Sequence, residues 1–419
     1  MADTTSLTSP SALKPAHVPD ALVYDFDHFE DTGLLADPHG RAYELVSSLP
    51  PIFWTPRHGG MWVAIGHDAN FEIGRDWETH SSEIIPQSFI QAALAQMPAG
   101  APRMPQPIPI NVDPPMHGRF RIPLNGPFSP KAMAGLRDDI RALAAELLDE
   151  QAPKGRCEFM SAVAEPMPVQ VFLKMMGLPL ERQALYRDLV KDQLAKIAGS
   201  PEEGALSMMA IAAAMRDTIL ERREAPQNDL ISLLWRTEIE GQPMTLEVME
   251  DYAVLLFIAG LDTVMNGIGF GVRHLACDQA LQARLRQNPD EIGDATEELL
   301  RRYTFTVPSR RVAKDVVFQG VEMKAGDRLI QFLPSADLDP ARFAAPDRFD
   351  MERDDKVHIA FNSGPHRCLG SHLARVELQV LYEELLKRIP TFRLDPEKPP
   401  TFHGGHVLGV DTLNLVWDA

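Results

Sequence analysis

From about Lys131 to Arg302 the apolar positions recur every 3 to 4 residues and are punctuated by Pro or Gly, which predicts a mostly helical body. One segment, about Thr245 to Cys277, is nearly all apolar. As a helix it would span roughly 50 Å at 1.5 Å per residue, enough to cross a whole globular unit. Strand patterns lie outside this body. Pro51 to Ile65 (PIFWTPRHGGMWVAI) predicts strand–turn–strand around Gly59-Gly60, and short strands follow at Val316–Val321 and Arg328–Leu333, with turns at Gly320 and Gly326. The closing HGGHVLGVDTLNLVWDA predicts a hairpin with His406 and Val407 at its tip. The expected fold class is mainly α with small β-sheets. Residues 1–20 are expected to form a flexible arm, disordered or draped, and residues 21–419 a single unit without internal repeats.

Two stretches interrupt this pattern. Residues 83–115 carry seven prolines between Pro98 and Pro115, a density that forbids a regular helix or central strand and suggests a lid over a site. Asp113-Pro114-Pro115 then supplies a helix start, with Asp as cap and proline just inside. His117 and Arg121, four apart, share a face of that helix. They are either a solvated surface or a seat for paired carboxylates.

Composition narrows the function classes. Of 419 residues, 45% are hydrophobic and 24% charged, as in an ordinary globular protein. The net charge of −18 disfavours nucleic acid and anionic membrane surfaces as partners. The N-terminus lacks an apolar signal core, and no uninterrupted apolar run reaches the ~20 residues of a membrane span. Cys157, Cys277 and Cys368 are too few and too scattered for a disulfide framework, which fits a reducing cytoplasm.

The chemistry concentrates in three places. In FNSGPHRCLG, Phe361 to Gly370, a cysteine stands between Gly364 and Gly370. The glycines let the backbone pass close to a large flat object, and the helix that follows presents its N-terminus to the sulfur, favouring thiolate. Cys368 could be a buried structural cysteine, a zinc ligand with His358, His366 and His372, or a thiolate offered to a metal on one face. In the long apolar segment, Ala259-Gly260-Leu261-Asp262-Thr263 puts an acid and a hydroxyl mid-helix, where a buried acid needs a partner. Gly260 and the Thr263 hydroxyl invite a local bulge; the bland reading is a back-bonded Thr and a salt-bridged Asp. Glu298 and Arg301, three apart, form a common surface pair unless the Pro346-Asp347-Arg348-Phe349 segment joins them.

In order along the chain, GGMWVA, DPP, AGLDT, EELLRR, PDRF, FNSGPHRCLG and LVWD resemble the cytochrome P-450 monooxygenases, in particular the bacterial soluble class around camphor 5-monooxygenase. The resemblance covers nearly the whole chain. It implies the cytochrome P-450 fold, with haem b between the long helix and the cysteine loop and the Cys368 thiolate as iron ligand. Phe361 would pack beside the sulfur, and His117, Arg121, Arg310 and His366 would hold the propionates. Asp262 and Thr263 would relay protons for oxygen activation, with Lys196 as the acid's partner. Glu298, Arg301 and Arg348 would form a buried triad. Leu255, Ile258, Ala259, Thr306, Val307, His406 and Val407 would line the substrate pocket. The proline-rich RMPQPIPI has no tyrosine where the camphor enzymes bind a ketone, and the loop is about ten residues longer than in that family, so a compact apolar terpenoid or norisoprenoid is expected instead of camphor. Electrons would come from NAD(P)H through a reductase and a [2Fe-2S] ferredoxin docking on Arg121, Arg367 and Arg375. A cytoplasmic monomer is expected, free of nucleic acid and membrane. The rival readings are a peroxide-using fatty-acid hydroxylase and a non-catalytic haem- or metal-binding protein.

Overall fold

In the computed structural model, which describes residues 12–90, 103–197 and 201–418, the apolar segment is one helix, Leu246–Cys277, hereafter the central helix. Thr245 caps it by accepting from the Val248 amide at 3.4 Å. Its two halves belong to different cores. Tyr252, Val254 and Phe257 pack with Met215, Ile219 and Ile231, whereas Ile268, Phe270 and Val272 pack with Leu381, Tyr382 and Leu385. Burying side chains of this size is worth about 1.5–3 kcal/mol each. The handover between the cores falls beside Asp262 and Thr263, where the helix meets a cavity. By composition this helix is long enough to cross a membrane, but 67% of its most apolar stretch is buried in the protein. The expected bulge at Gly260 is absent: the helix is continuous, and the Thr263 hydroxyl donates to the Ala259 carbonyl at 3.0 Å.

Strands form a smaller layer. The five-stranded sheet runs Ile52–Thr55, Met61–Ala64, Arg328–Gln331, Ser309–Val312, His80–Ser81. Only its Met61–Ala64 and Arg328–Gln331 neighbours are parallel. The Val316–Val321 pattern is a hairpin of its own, Val316–Phe318 with Val321–Met323, because Gln319 and Gly320 both adopt positive φ. At the C-terminal end, Thr401–His403 pairs with Gly409–Thr412, and His406 and Val407 lie between them as expected. Asn414–Trp417 instead joins Phe392–Leu394 and Arg156–Glu158.

Residues 12–20 are draped and fastened. The Ala12 amide donates to the Pro56 carbonyl at 2.8 Å, Val18 is buried, and His17 pairs with Asp327 at 2.9 Å. Positions 1–11 lie outside the described residues, as does the side chain of Lys196.

Candidate active site

The cysteine loop is pressed against the helix His67–Arg75. Gly364 has φ +71°, and a Cβ there would stand 2.1 Å from the Gly74 carbonyl oxygen. Its bare backbone therefore serves this helix contact, where the sequence suggested close passage of a flat ligand. The Ser363 hydroxyl donates to the Phe71 carbonyl at 2.7 Å, and the Cys368 amide donates to the Phe361 carbonyl at 2.9 Å. Gly370 caps the helix Ser371–Arg388. Its amide and the Arg121, Arg367 and Arg375 cations draw the Cys368 thiol pKa down, but burial wins and holds it above the ordinary value. The helix start alone therefore does not draw this thiol below its ordinary range. Of the other cysteines, burial pushes Cys157 up to about 12, and Cys277 ends the central helix. Only Cys368 opens on the main cavity.

Behind the loop, Arg301 donates from Nε and Nη2 to the two Glu298 carboxylate oxygens, both at 2.8 Å, and to the carbonyls of Asp337, Pro346 and Arg348 at 2.7–3.1 Å. Arg348 contributes its carbonyl, while its side chain is exposed. The third side chain of the cluster is Arg353. Its Nε lies 3.5 Å from Glu298, and its guanidinium donates to the carbonyls of Ala344, Ala345 and Arg348. The triad is therefore Glu298, Arg301 and Arg353. The sequence signal was an arginine five residues further on, in Met351-Glu352-Arg353, before the loop.

A cavity of about 870 Å³ extends from Cys368 to the central helix. His117, Arg121, Arg310 and His366 all open on it. The His117 and His366 rings meet at a tilt of 60°, with 4.4 Å between ring centres. Burial, with neighbouring cations, pushes His117 down to about 4 and also lowers His366. Burial lowers Arg310 to about 10. His366 Nε2 is buried without a hydrogen bond, with Asp113 3.6 Å away. Four cationic or cation-capable groups with one nearby carboxylate, Asp113, among them fit the two carboxylates of the expected haem. Arg121 also donates to the Arg367 carbonyl at 2.8 Å, linking its helix (Met116–Asn125) to the cysteine loop. Asp113 does not cap that helix: its carboxylate accepts from the Ser82 amide and the Ser81 hydroxyl, and Pro115 takes the cap position.

The four zinc ligands considered from the sequence do not converge among the described residues. His358 pairs with Glu297 at 3.2 Å, and His366 packs at a tilt against His117. Arg375 makes a two-pronged ion pair with the same Glu297 (2.6 and 2.8 Å) over the Phe361 ring, so its charge is already matched.

Across the cavity, Leu255, Ile258, Ala259, Thr306, Val307, His406 and Val407 all face the open space, as do Asp262 and Thr263. Asp262 is 3% exposed. Its Oδ1 accepts from Asn266 at 3.1 Å, and Oδ2 has no partner. Burial pushes its pKa up to about 6, against pulls from His403 and the Asn266 bond. His403, which also opens on the cavity, is bonded through Nδ1 to Asp411 at 2.7 Å. Glu377, buried at the cavity edge, is pushed to about 8 by burial alone. His403 and Glu377 escaped the sequence reading because nothing in a linear pattern points them at this space. The proline-rich segment forms no helix or strand over residues 103–112. It is clasped to the head of the central helix: Arg103 and the Gln106 amide (2.7 Å) both bond Asp251. Pro107, Pro109 and Ile110 thereby reach the cavity.

The Cytochrome P450 family model matches residues 193–414. The chain is 36% identical over 412 residues to the probable cytochrome P450 127A1 of Sinorhizobium fredii, covering 96% of each. It is 32% identical over 320 residues to the steroid C26-monooxygenase of Mycolicibacterium smegmatis, covering 74% of this chain and 79% of that one. The crystal structure of CYP101J2 superposes with a TM-score of 0.85 at 33% identity, covering 97% of this chain and all of that one. A cysteine that shares a deep cavity with a group of cation-capable side chains, on this fold and with these relatives, leads to one conclusion: the chain belongs to the cytochrome P450 family, a haem-dependent monooxygenase fed with NAD(P)H-derived electrons by redox partners.

Proposed function

We propose that the protein hydroxylates an unactivated C–H bond of a compact apolar molecule, a terpenoid or norisoprenoid ring, with electrons from a ferredoxin. The supporting observation is the single cavity bounded by Cys368 on one side and by Asp262, Thr263 and an aliphatic wall on the other. Cys368 is the iron ligand, and His117, Arg121, Arg310 and His366 hold the propionates. When bound, the haem supplies dioxygen activation and oxygen-atom transfer: one oxygen enters the C–H bond and the other leaves as water, at the expense of two electrons and two protons.

The chain's task is to deliver those protons and exclude others. Asp262, titrating at about 6, can both donate and accept near neutral pH. Its unpartnered Oδ2 is free for this, since Asn266 holds only Oδ1. The Thr263 hydroxyl opens on the cavity beside it. In place of Lys196, we assign His403 and Asp411 as the proton inlet. Asp411 is exposed, His403 bonds it, and His403 interacts electrostatically with Asp262. The hairpin is shaped for this. Asp411 is the extra residue of a β-bulge opposite Thr401 and Phe402, which re-aims its side chain. The His403 ring occupies the space a Cβ at position 409 would need, so Gly409 makes room for it.

Pro107, Pro109, Ile258 and Val307 offer hydrocarbon and few hydrogen-bond donors, which supports an apolar ring as substrate. A spin-state titration of the Soret band tests this with terpenoids, norisoprenoids, a steroid and a long-chain fatty acid. The expected result is a low-to-high spin shift with the first two groups at the lowest concentrations. A response to the fatty acid alone, together with peroxide-driven turnover, would replace this reading with the peroxygenase one.

A further inference from the structure

At the outer wall of the same cavity, two turns place Asp27, His28 and His58 together. The first turn is held by the Asp27 carboxylate, which accepts from the Phe29 and Glu30 amides at 3.0 and 3.3 Å. In the second, His58 is in the left-handed region at φ +52°, and its carbonyl accepts from Arg328 at 2.8 Å. One ligand atom from each of the three side chains lies within 4.8 Å of the other two. His28 is 1% exposed, yet neither ring nitrogen has a hydrogen-bond partner. Buried polar atoms are normally paired, so an imidazole with both nitrogens unmatched calls for a missing partner. We propose that Asp27, His28 and His58 bind one divalent cation, with zinc as the best match.

The donor set argues for zinc over magnesium or calcium. Two imidazoles and one carboxylate suit a borderline-soft ion, whereas the harder ions require oxygen. Metal ligands must be unprotonated. The present His58 Nε2 to Asp27 Oδ1 contact, 2.7 Å, is a hydrogen bond. Zinc would displace its proton and open it to a ligand edge of about 3.3 Å, as bonds of about 2.0–2.1 Å in a tetrahedron require. Two guanidinium groups work against binding: Arg328, which acts on His28, and Arg57, which pairs with Asp25 and also acts on Asp27. Three protein ligands leave a fourth position open.

Such an ion would stiffen the pocket. The His28 carbonyl accepts from the Gly405 amide at 2.7 Å, and Phe29 packs edge-on against His406 at 5.5 Å. Both Phe29 and His406 face the cavity. A zinc joining His28 to the His58 turn would fix this wall from behind.

The test uses haem-loaded full-length protein, dialysed against a chelator, titrated calorimetrically with zinc chloride and assayed for metal after gel filtration. One zinc per chain is expected, with a rise in Tm that magnesium does not reproduce. His28→Ala and His58→Asn, each checked for the thiolate Soret band of the reduced carbonyl complex, should weaken binding by more than about tenfold, since even outer partners of a metal are worth that much. The asparagine keeps a hydrogen-bond donor for Asp27, so it separates ligation from folding. Zinc absent after gel filtration, or retained equally by parent and both variants on surface histidines, overturns the proposal and leaves the monooxygenase reading untouched.

Discussion

The two faces of the cavity are built on opposite principles. The cysteine side is over-determined. Arg301 alone makes a two-pronged ion pair and reaches three backbone carbonyls, and the loop beyond it is locked on the Gly74 backbone. The substrate side has few fastenings: an unpartnered Asp262 oxygen, a hairpin bulge, and a proline-rich segment clasped at Asp251. A sulfur that must hold a metal at fixed distance needs redundancy, because any slack would change the bond. A wall that must admit a substrate and open again cannot be tied as tightly.

Substitutions on the cysteine side should have the largest effects. Cys368→Ser is expected to abolish both turnover and the thiolate-specific Soret band of the reduced carbonyl complex; a variant that kept the band would refute the assignment. Arg301→Ala leaves Glu298 buried without its main partner and should cost about 3–5 kcal/mol in urea unfolding. Arg353→Ala should be clearly destabilising, whereas Arg348→Ala should fall within about 0.5 kcal/mol of the parent, as surface changes do. A reversed order of Arg353 and Arg348 would restore the triad suggested by the sequence.

On the substrate side the expected losses are kinetic. Asp262→Asn should lower product formation about 100-fold, at the low end of positioned proton transfer, with little loss of stability at neutral pH. The folded-state pKa of Asp262 lies above its ordinary value, so the protonated donor is depleted as pH rises through about 6, and turnover should fall with it. The stability contribution has the same sign. It is fully present below the unfolded carboxylate range and lost as pH rises through about 6, and Asp262→Asn should flatten this slope. His403→Ala removes a neighbour that pulls the Asp262 pKa down, so the falling limb should move to higher pH, with roughly tenfold slower turnover. An unmoved limb would break the inlet. The smallest effect concerns docking. Because Arg375 is neutralised by Glu297, Arg367→Glu should weaken ferredoxin-driven reduction and its salt dependence more than Arg375→Gln does.

The same division explains what could be read in advance. The cysteine loop, the Asp262–Thr263 pair and Glu298–Arg301 are local patterns, each within a few residues, and the sequence exposes them directly. The central helix was legible because its apolar run needs only one periodicity. Arg348 was misassigned because both it and Arg353 follow the Glu298 helix at similar range, and only folding decides which arginine turns inward. His403, Asp411 and the His28 cluster depend on pairings across tens or hundreds of residues, and a hairpin bulge of one residue sets where a side chain points. At Gly260 the bulge is absent although the Thr263 hydroxyl bonds the Ala259 carbonyl one turn back, so the apolar packing along the helix outweighs that local pull.

The Asp251 clasp has an evolutionary corollary. Both of its bonds end on one carboxylate at the head of the central helix, so the stretch before Arg103 can gain or lose residues while Pro107 to Ile110 keep their place. A change of chain length ahead of the clasp is thus decoupled from the iron's seat.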